Sequence, residues 1–134
     1  MFFKKKAKNT PYFIFNYGCG DTKKCISLSA ENGFLSGEWY DENDNHYLYT
    51  DIPMTEGFWD TLYTAAKEQG ILEWKAYKLF NRFASEINLE VFNSEGLFPD
   101  GQSFEANNMH GLPENFKEAS TALIEVFYSF METE

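Results

Sequence analysis

The residues of this chain that could do chemistry fall into a few short clusters. Asp41-x-Asn43-x-Asn45 opens like a calcium-binding loop, whose first, third and fifth positions supply side-chain oxygens. The sixth position is His46 where such a loop needs glycine, and the twelfth is Ile52 where it needs a bidentate glutamate. A hairpin loop rich in turn formers accounts for the same residues, so no calcium site is expected. His46 and His110 are the only histidines, and zinc would need both to converge with a thiol or carboxylate. No metal is assigned to them.

Asn107, Asn108, His110 and Glu114 lie just before the last helical stretch, where loop amides and a helix N-terminus can hold a small anion. They form the alternative reading of function, a small-ligand or enzymatic site; the plainer reading is a polar connection using Asn and Gly for turn geometry. Glu86 and Glu90 share one face of an expected strand, with Glu105 on a neighbouring strand. Burial could split the pKa values of such a pair for acid–base work, but on a solvent-facing strand they are a charged surface, which is the reading preferred. Ser27, Ser29, Cys19 and Cys25 have no histidine partner in any nucleophile motif, and Gly18-Cys19-Gly20 lacks the third glycine of a phosphate loop. The cysteine spacing is not that of a redox or zinc motif. They could bridge across a turn in an exported protein, but buried thiols are the preferred reading. The chain is therefore read as non-enzymatic, with no catalytic residue and no cofactor.

Rings and charge point elsewhere. The chain has 134 residues with 14 Phe, 8 Tyr and 3 Trp, and a net charge of −10. Trp39, Tyr40, Tyr47 and Tyr49 cluster on two expected strands, where neighbours in sequence point to opposite faces. Some should lie off the core face, where they serve either as interface anchors or as cross-strand aromatic pairs on a half-covered sheet, two readings of equal weight. Residues 1–24 carry +5 and the remaining 110 carry −15. A pI near 4.6 excludes nucleic acid as a default partner, because binding a polyphosphate rests on Lys and Arg. It suits a basic protein partner, or solubility alone. The opening Met1-Phe2-Phe3-Lys4-Lys5-Lys6 lacks the apolar region of a secretory signal, and no stretch reaches bilayer-spanning length. Residues 1–10 are read as a basic tail; a peripheral membrane role through Phe2, Phe3 and Lys4 to Lys8 is a further alternative, though one such cluster binds only weakly. A cytoplasmic location is expected.

These clusters must be positioned by a single domain over residues 11–134. Tyr12–Tyr17, Cys25–Ser29, Phe34–Tyr40 and His46–Ile52 read as four strands of an antiparallel meander, with Ile26 and Leu28 facing the core. Thr55 reads as the N-cap of a helix over 56–69, with Met54 and Trp59 as its hydrophobic staple and Gly70 after its end. Residues 71–74 read as a short strand or an extended docking segment. Glu86–Asn93 and Gln102–Ala106 read as a hairpin pair with a turn at Asp100-Gly101, and Pro113 as the first position of a helix over 113–131. The expected fold is α+β: one antiparallel sheet of five to seven strands with two helices on one face.

Ile87-Asn88-Leu89-Glu90-Val91-Phe92, Asp100-Gly101, Asn107-Asn108 and Leu112-Pro113-Glu114-Asn115-Phe116, with Gly70-Ile71-Leu72-Glu73-Trp74 before them, resemble a pattern in small uncharacterised bacterial proteins over residues 54–130. The resemblance implies a bacterial origin and an α+β fold, and no activity. In size and acidity the chain is also similar to immunity proteins that neutralise basic toxins. The leading expectation is an acidic protein-binding module, an immunity-type inhibitor or a homodimer, with Trp39, Tyr40, Tyr47, Tyr49, Glu86 and Glu90 as its interface.

Overall fold

The computed structural model describes residues 10–18, 25–74, 91–108 and 113–132. They form one six-stranded, wholly antiparallel sheet and two helices, an α+β architecture. The strands are β1 (Tyr12–Gly18), β2 (Ile26–Glu31), β3 (Phe34–Tyr40), β4 (His46–Pro53), β5 (Val91–Leu97) and β6 (Ser103–Asn108). Helix α1 (Phe58–Glu68) follows β4, and α2 (Phe116–Met131) follows β6. The spatial order is β4-β3-β2-β1-β5-β6, so the meander runs outward from β1 on one side and the second hairpin is added on the other.

Period-two alternation chooses the core face. Phe13 and Phe15 of β1, Leu28 and Ala30 of β2, Leu35 and Trp39 of β3, Phe92 of β5, and Phe104 and Ala106 of β6 are buried beneath the helices. Helix α1 contributes Phe58, Leu62 and Ala66, and α2 contributes Ala119, Leu123, Val126, Phe127 and Met131, each set at helical spacing. Phe127 joins the layers: its ring centre lies 6.1 Å from Phe13 of β1 and 5.2 Å from Phe58 of α1. Phe116, at the start of α2, stacks on Phe15 at 5.8 Å and meets Phe92 edge-on at 5.7 Å. A small sheet thus builds its interior from rings, where edge-to-face and tilted contacts add to the area they bury.

Several boundaries differ from the sequence expectation for local reasons. The residue capping α1 is Gly57, with φ +91, and the Thr55 carbonyl accepts from the Phe58 amide, so Thr55 closes the preceding turn and does not cap the helix by its side chain. Gly70 does follow the helix in a left-handed conformation, φ +70, its amide donating to the Lys67 carbonyl. Ile71–Glu73 form a 3-10 turn where a strand or extended segment was expected, because they carry the chain tightly away from Gly70 while burying Ile71 and Trp74. The strand expected over 86–93 is seen as Val91–Leu97, and its first five residues lie outside the described residues. Its turn is as expected: Gly101 has φ +97, and the Phe98 amide donates to the Gln102 carbonyl. Pro113 belongs to a turn before α2, which starts at Phe116 after Asn115. Asn115 Nδ2 donates to the Gln69 carbonyl at 2.7 Å, tying the start of α2 to the end of α1.

Candidate functional site

Two surfaces emerge from this frame. The first lies at one corner, where the β3–β4 hairpin meets the later turns of α2. Its loop is made by Asp41, whose Oδ1 accepts from the amides of Asn43 (2.8 Å) and Asn45 (2.9 Å). Its Oδ2 accepts from Asn45 Nδ2 (3.0 Å) and the Tyr47 hydroxyl (3.3 Å). Asp44 takes φ +64, a conformation Asp tolerates in turns. The Asp41-x-Asn43-x-Asn45 pattern is thus a side-chain-closed hairpin loop. Those donors, the Asn45 side chain foremost, hold the Asp41 carboxyl below its ordinary value of 3.8.

Closing this loop sets Trp39 opposite Tyr47, and their rings stack at 5.3 Å with 9° between planes. Tyr49 follows on the same face, 6.0 Å from Trp39. Further along β4 the register shifts between Leu35 and Gly37. Asp51 sits there at φ +53, its amide donating to Ser36 Oγ. The extra residue puts Ile52 against the core where simple alternation would have put Asp51. Tyr128 of α2 then stands nearly perpendicular to the stacked pair, 6.1 Å from Trp39 and 5.8 Å from Tyr47. Asp41's charge raises the Tyr47 hydroxyl, and desolvation by burial is the first cause raising Tyr49.

Trp39, Tyr47 and Tyr49 are therefore brought together, but on the core side. Trp39 is only 4% exposed, and the two tyrosines are half-buried against α2. Of the two readings, the structure shows cross-strand ring pairing under a helix for these three, with Trp39 buried and so not an exposed anchor. Tyr40 alone of the four faces the other way, stacked on His46 at 4.6 Å. His46 Nε2 lies 2.8 Å from Glu38 Oε2. Tyr128, with Ile124 and Glu125, was missed by reading the sequence. The available signal was the four-residue spacing of Ile124 and Tyr128, which defines a second apolar strip beside the main stripe of α2.

The second surface is the other face of the sheet, on which no described element packs. Across its strands the outward residues fall in rows set by the register. One row runs Leu48, Glu38, Ser27, Asn16, Asn93; the next runs Ser36, Ser29, Ile14, Glu95, Glu105; the last runs Phe34, Glu31, Tyr12, Leu97, Ser103. Phe34 is 47% and Leu48 60% exposed. Shallow hollows flank Tyr12, lined on one side by Thr10, Pro11, Glu31 and Asn32 and on the other by Gly96, Ser103 and Glu105, with Glu95 common to both. The Tyr12 hydroxyl donates to Glu95 Oε2 at 3.3 Å. Partial burial first, then the charges of Glu95, Glu105 and Glu31, raise its pKa.

Glu86, Glu90 and His110 lie outside the described residues. Asn107 and Asn108 are placed by backbone only, paired with Asn93 and Phe92, and Glu114 is exposed in the turn before α2. Among the described residues no group of three His, Cys, Asp or Glu is arranged to hold a metal ion. None of the described helices is long and apolar enough to cross a membrane. The described residues together define a two-layer α+β architecture in which one sheet face, lined with glutamates, is covered by none of the described elements. No family model, curated protein or solved structure matches the chain.

The loop chemistry yields a direct expectation. A carboxylate whose folded pKa is depressed contributes stability that is complete above its unfolded value and lost as pH falls through the folded one. For Asp41 that window lies below 3.8. The amides of Asn43 and Asn45 should lose their protection against hydrogen exchange, measured relative to the intrinsic rate at each pH, in wild type only on acidification through this window. Asp41→Ala, which removes the accepting oxygen, should show that loss already at neutral pH, and protected amides in that variant would contradict the assignment.

Proposed function

We propose that the chain is a non-enzymatic binding module, an immunity-type inhibitor of the bacterial cytoplasm, whose open sheet face engages a basic protein. The observation that carries this reading is the composition of that face. Glu31, Glu38, Glu95 and Glu105 lie among serines and asparagines, with Ile14, Tyr12 and Leu97 between them and Phe34 and Leu48 as apolar contacts toward one side. Only two basic residues, Lys67 and Lys117, lie among the described residues, and both are on the helices of the opposite layer. Such a single-sign field speeds encounter with a cationic partner and rejects acidic ones. The same carboxylates disfavour pairing of this face with a second copy of itself, since an isologous contact would set like charges together.

The test is affinity purification from the cells of origin with wild type, Glu31→Lys/Glu95→Lys, and the helix-face control Glu118→Lys. One basic protein should be retained by wild type and by the control. Its affinity for the face variant should fall by at least about tenfold, an effect that added salt imitates. Retention by all three proteins alike, or by none, would remove the reading.

A further inference from the structure

We infer that the corner between the β3–β4 hairpin and α2 is a binding site for a quaternary ammonium group. A cleft of about 160 Å³ opens there, lined by Trp39, Asp41, Tyr47, Ile124, Glu125 and Tyr128. Its aromatic walls stand on two nearly perpendicular planes: Trp39 and Tyr47 stacked within 9° of each other, and Tyr128 at 87° and 86° to them. A cation in such a corner meets Tyr128 and Tyr47, the more exposed of these rings, and the negative face of a π-system attracts it. The two side chains of the lining that are charged at neutral pH, Asp41 and Glu125, are both acidic, so the charge of the walls has the sign a cation needs.

The state of Asp41 selects among cations. A carboxylate offers about four lone-pair positions, and the Asp41 carboxylate already accepts four hydrogen bonds from Asn43, Asn45 and Tyr47. It retains its charge but has no acceptor position left to give. A primary ammonium or a guanidinium brings N–H donors that need acceptors once desolvated, and of the two carboxylates only that of Glu125, exposed on α2, has positions left for them. A quaternary ammonium brings none and asks only for a field and apolar contact, which the rings, Ile124 and the Asp41 charge supply. The other ring-lined cleft, among Trp59, Tyr63 and Phe98, differs in that Tyr63 already has the Lys67 ammonium 5.0 Å from its ring centre.

The experiment is a titration of the full chain, followed by amide and aromatic NMR shifts, with choline, with its neutral isostere 3,3-dimethylbutan-1-ol, and with butylammonium. Choline should bind in the millimolar range and move signals of Trp39, Tyr47 and Tyr128, and the two comparison compounds should bind roughly tenfold more weakly. Tyr128→Leu should lose the response, Tyr128→Phe should keep it, and Tyr40→Leu on the opposite sheet face should not alter it. Thermal melts of the variants separate loss of the site from loss of the fold. The assignment is overturned if the isostere or butylammonium binds as well as choline. It is equally overturned if shifts centre on Trp59 and Tyr63, or if folded Tyr128→Leu responds as wild type does.

Discussion

Replacing Phe127 with alanine is expected to lower the unfolding free energy by about 3–5 kcal/mol. Phe127 is fully buried and touches both the sheet and the other helix, meeting Phe13 of β1 and Phe58 of α1, which itself meets Phe130 of α2 at 5.4 Å. Truncation removes the ring's transfer free energy and leaves a void that three elements would have to close together. The surrounding Phe rings have two side-chain torsions each and cannot flow into it, so the cost should lie toward the upper part of that range. Domains of this size are stable by only about 5–15 kcal/mol. The variant should therefore be markedly destabilised in urea, with its midpoint shifted and its slope nearly unchanged. A loss below about 1 kcal/mol would mean that α2 does not seat on the sheet through this ring.

The second large effect is expected at Gly37, in the middle of β3. A Cβ built there would lie 2.9 Å from Trp39 Cζ3, 3.0 Å from Met131 Cε and 3.2 Å from Leu28 Cδ2. The Met131 methyl can swing aside, but the indole of Trp39 is held in its stack with Tyr47. The glycine is therefore required by close approach of side chains and the last turn of α2. Gly37→Val should cost about 2–3 kcal/mol through overpacking, despite the higher strand propensity of valine. The near-ultraviolet circular dichroism of the Trp39–Tyr47–Tyr128 group should change with it. Gly18→Ala, at a position where no atom of the described residues lies within 4 Å of the added carbon, is the control and should be close to neutral. Equal effects at the two sites would show that strand conformation, and not packing at the corner, governs Gly37.

The elements most legible in the sequence were those whose signal is local. Phe34–Tyr40 is seen with the bounds expected, Tyr12–Tyr17 and His46–Ile52 extend by one residue each, and Gly70 and Asp100-Gly101 occupy the turns that their residue types announce. The misreadings share a cause as well. Thr55 and Pro113 are good helix-start residues that the chain uses in turns. Ile71–Glu73 look like a short strand because burial of Ile71 and Trp74 gives apolar residues without a period. In each case a tertiary contact, such as Asn115 reaching the Gln69 carbonyl, sets the boundary that propensity leaves open.

The candidate surfaces were legible only in part. Alternation showed that Trp39 and Tyr40 must face opposite ways, but not which of them faced the helices. That depends on the register of β3 against β2 and on α2 covering that side. Once it does, Trp39 is buried with Tyr47 and Tyr49, and the outward face is left to Tyr40, Phe34 and Leu48 among serines and glutamates. Glu31, Glu95 and Glu105 are far apart in sequence and meet around Tyr12 only because β5 pairs with β1.

By itself the sequence determined the class of fold, an antiparallel sheet with two helices on one side and a core of rings, because periodicity and turn residues act over a few positions. It also determined the sign of the surface, since charge adds regardless of arrangement. Only the tertiary structure decided where the rings went: under the helices, with Tyr128 completing a corner around Trp39 and Tyr47, because only packing between distant elements chooses which face of each strand is covered.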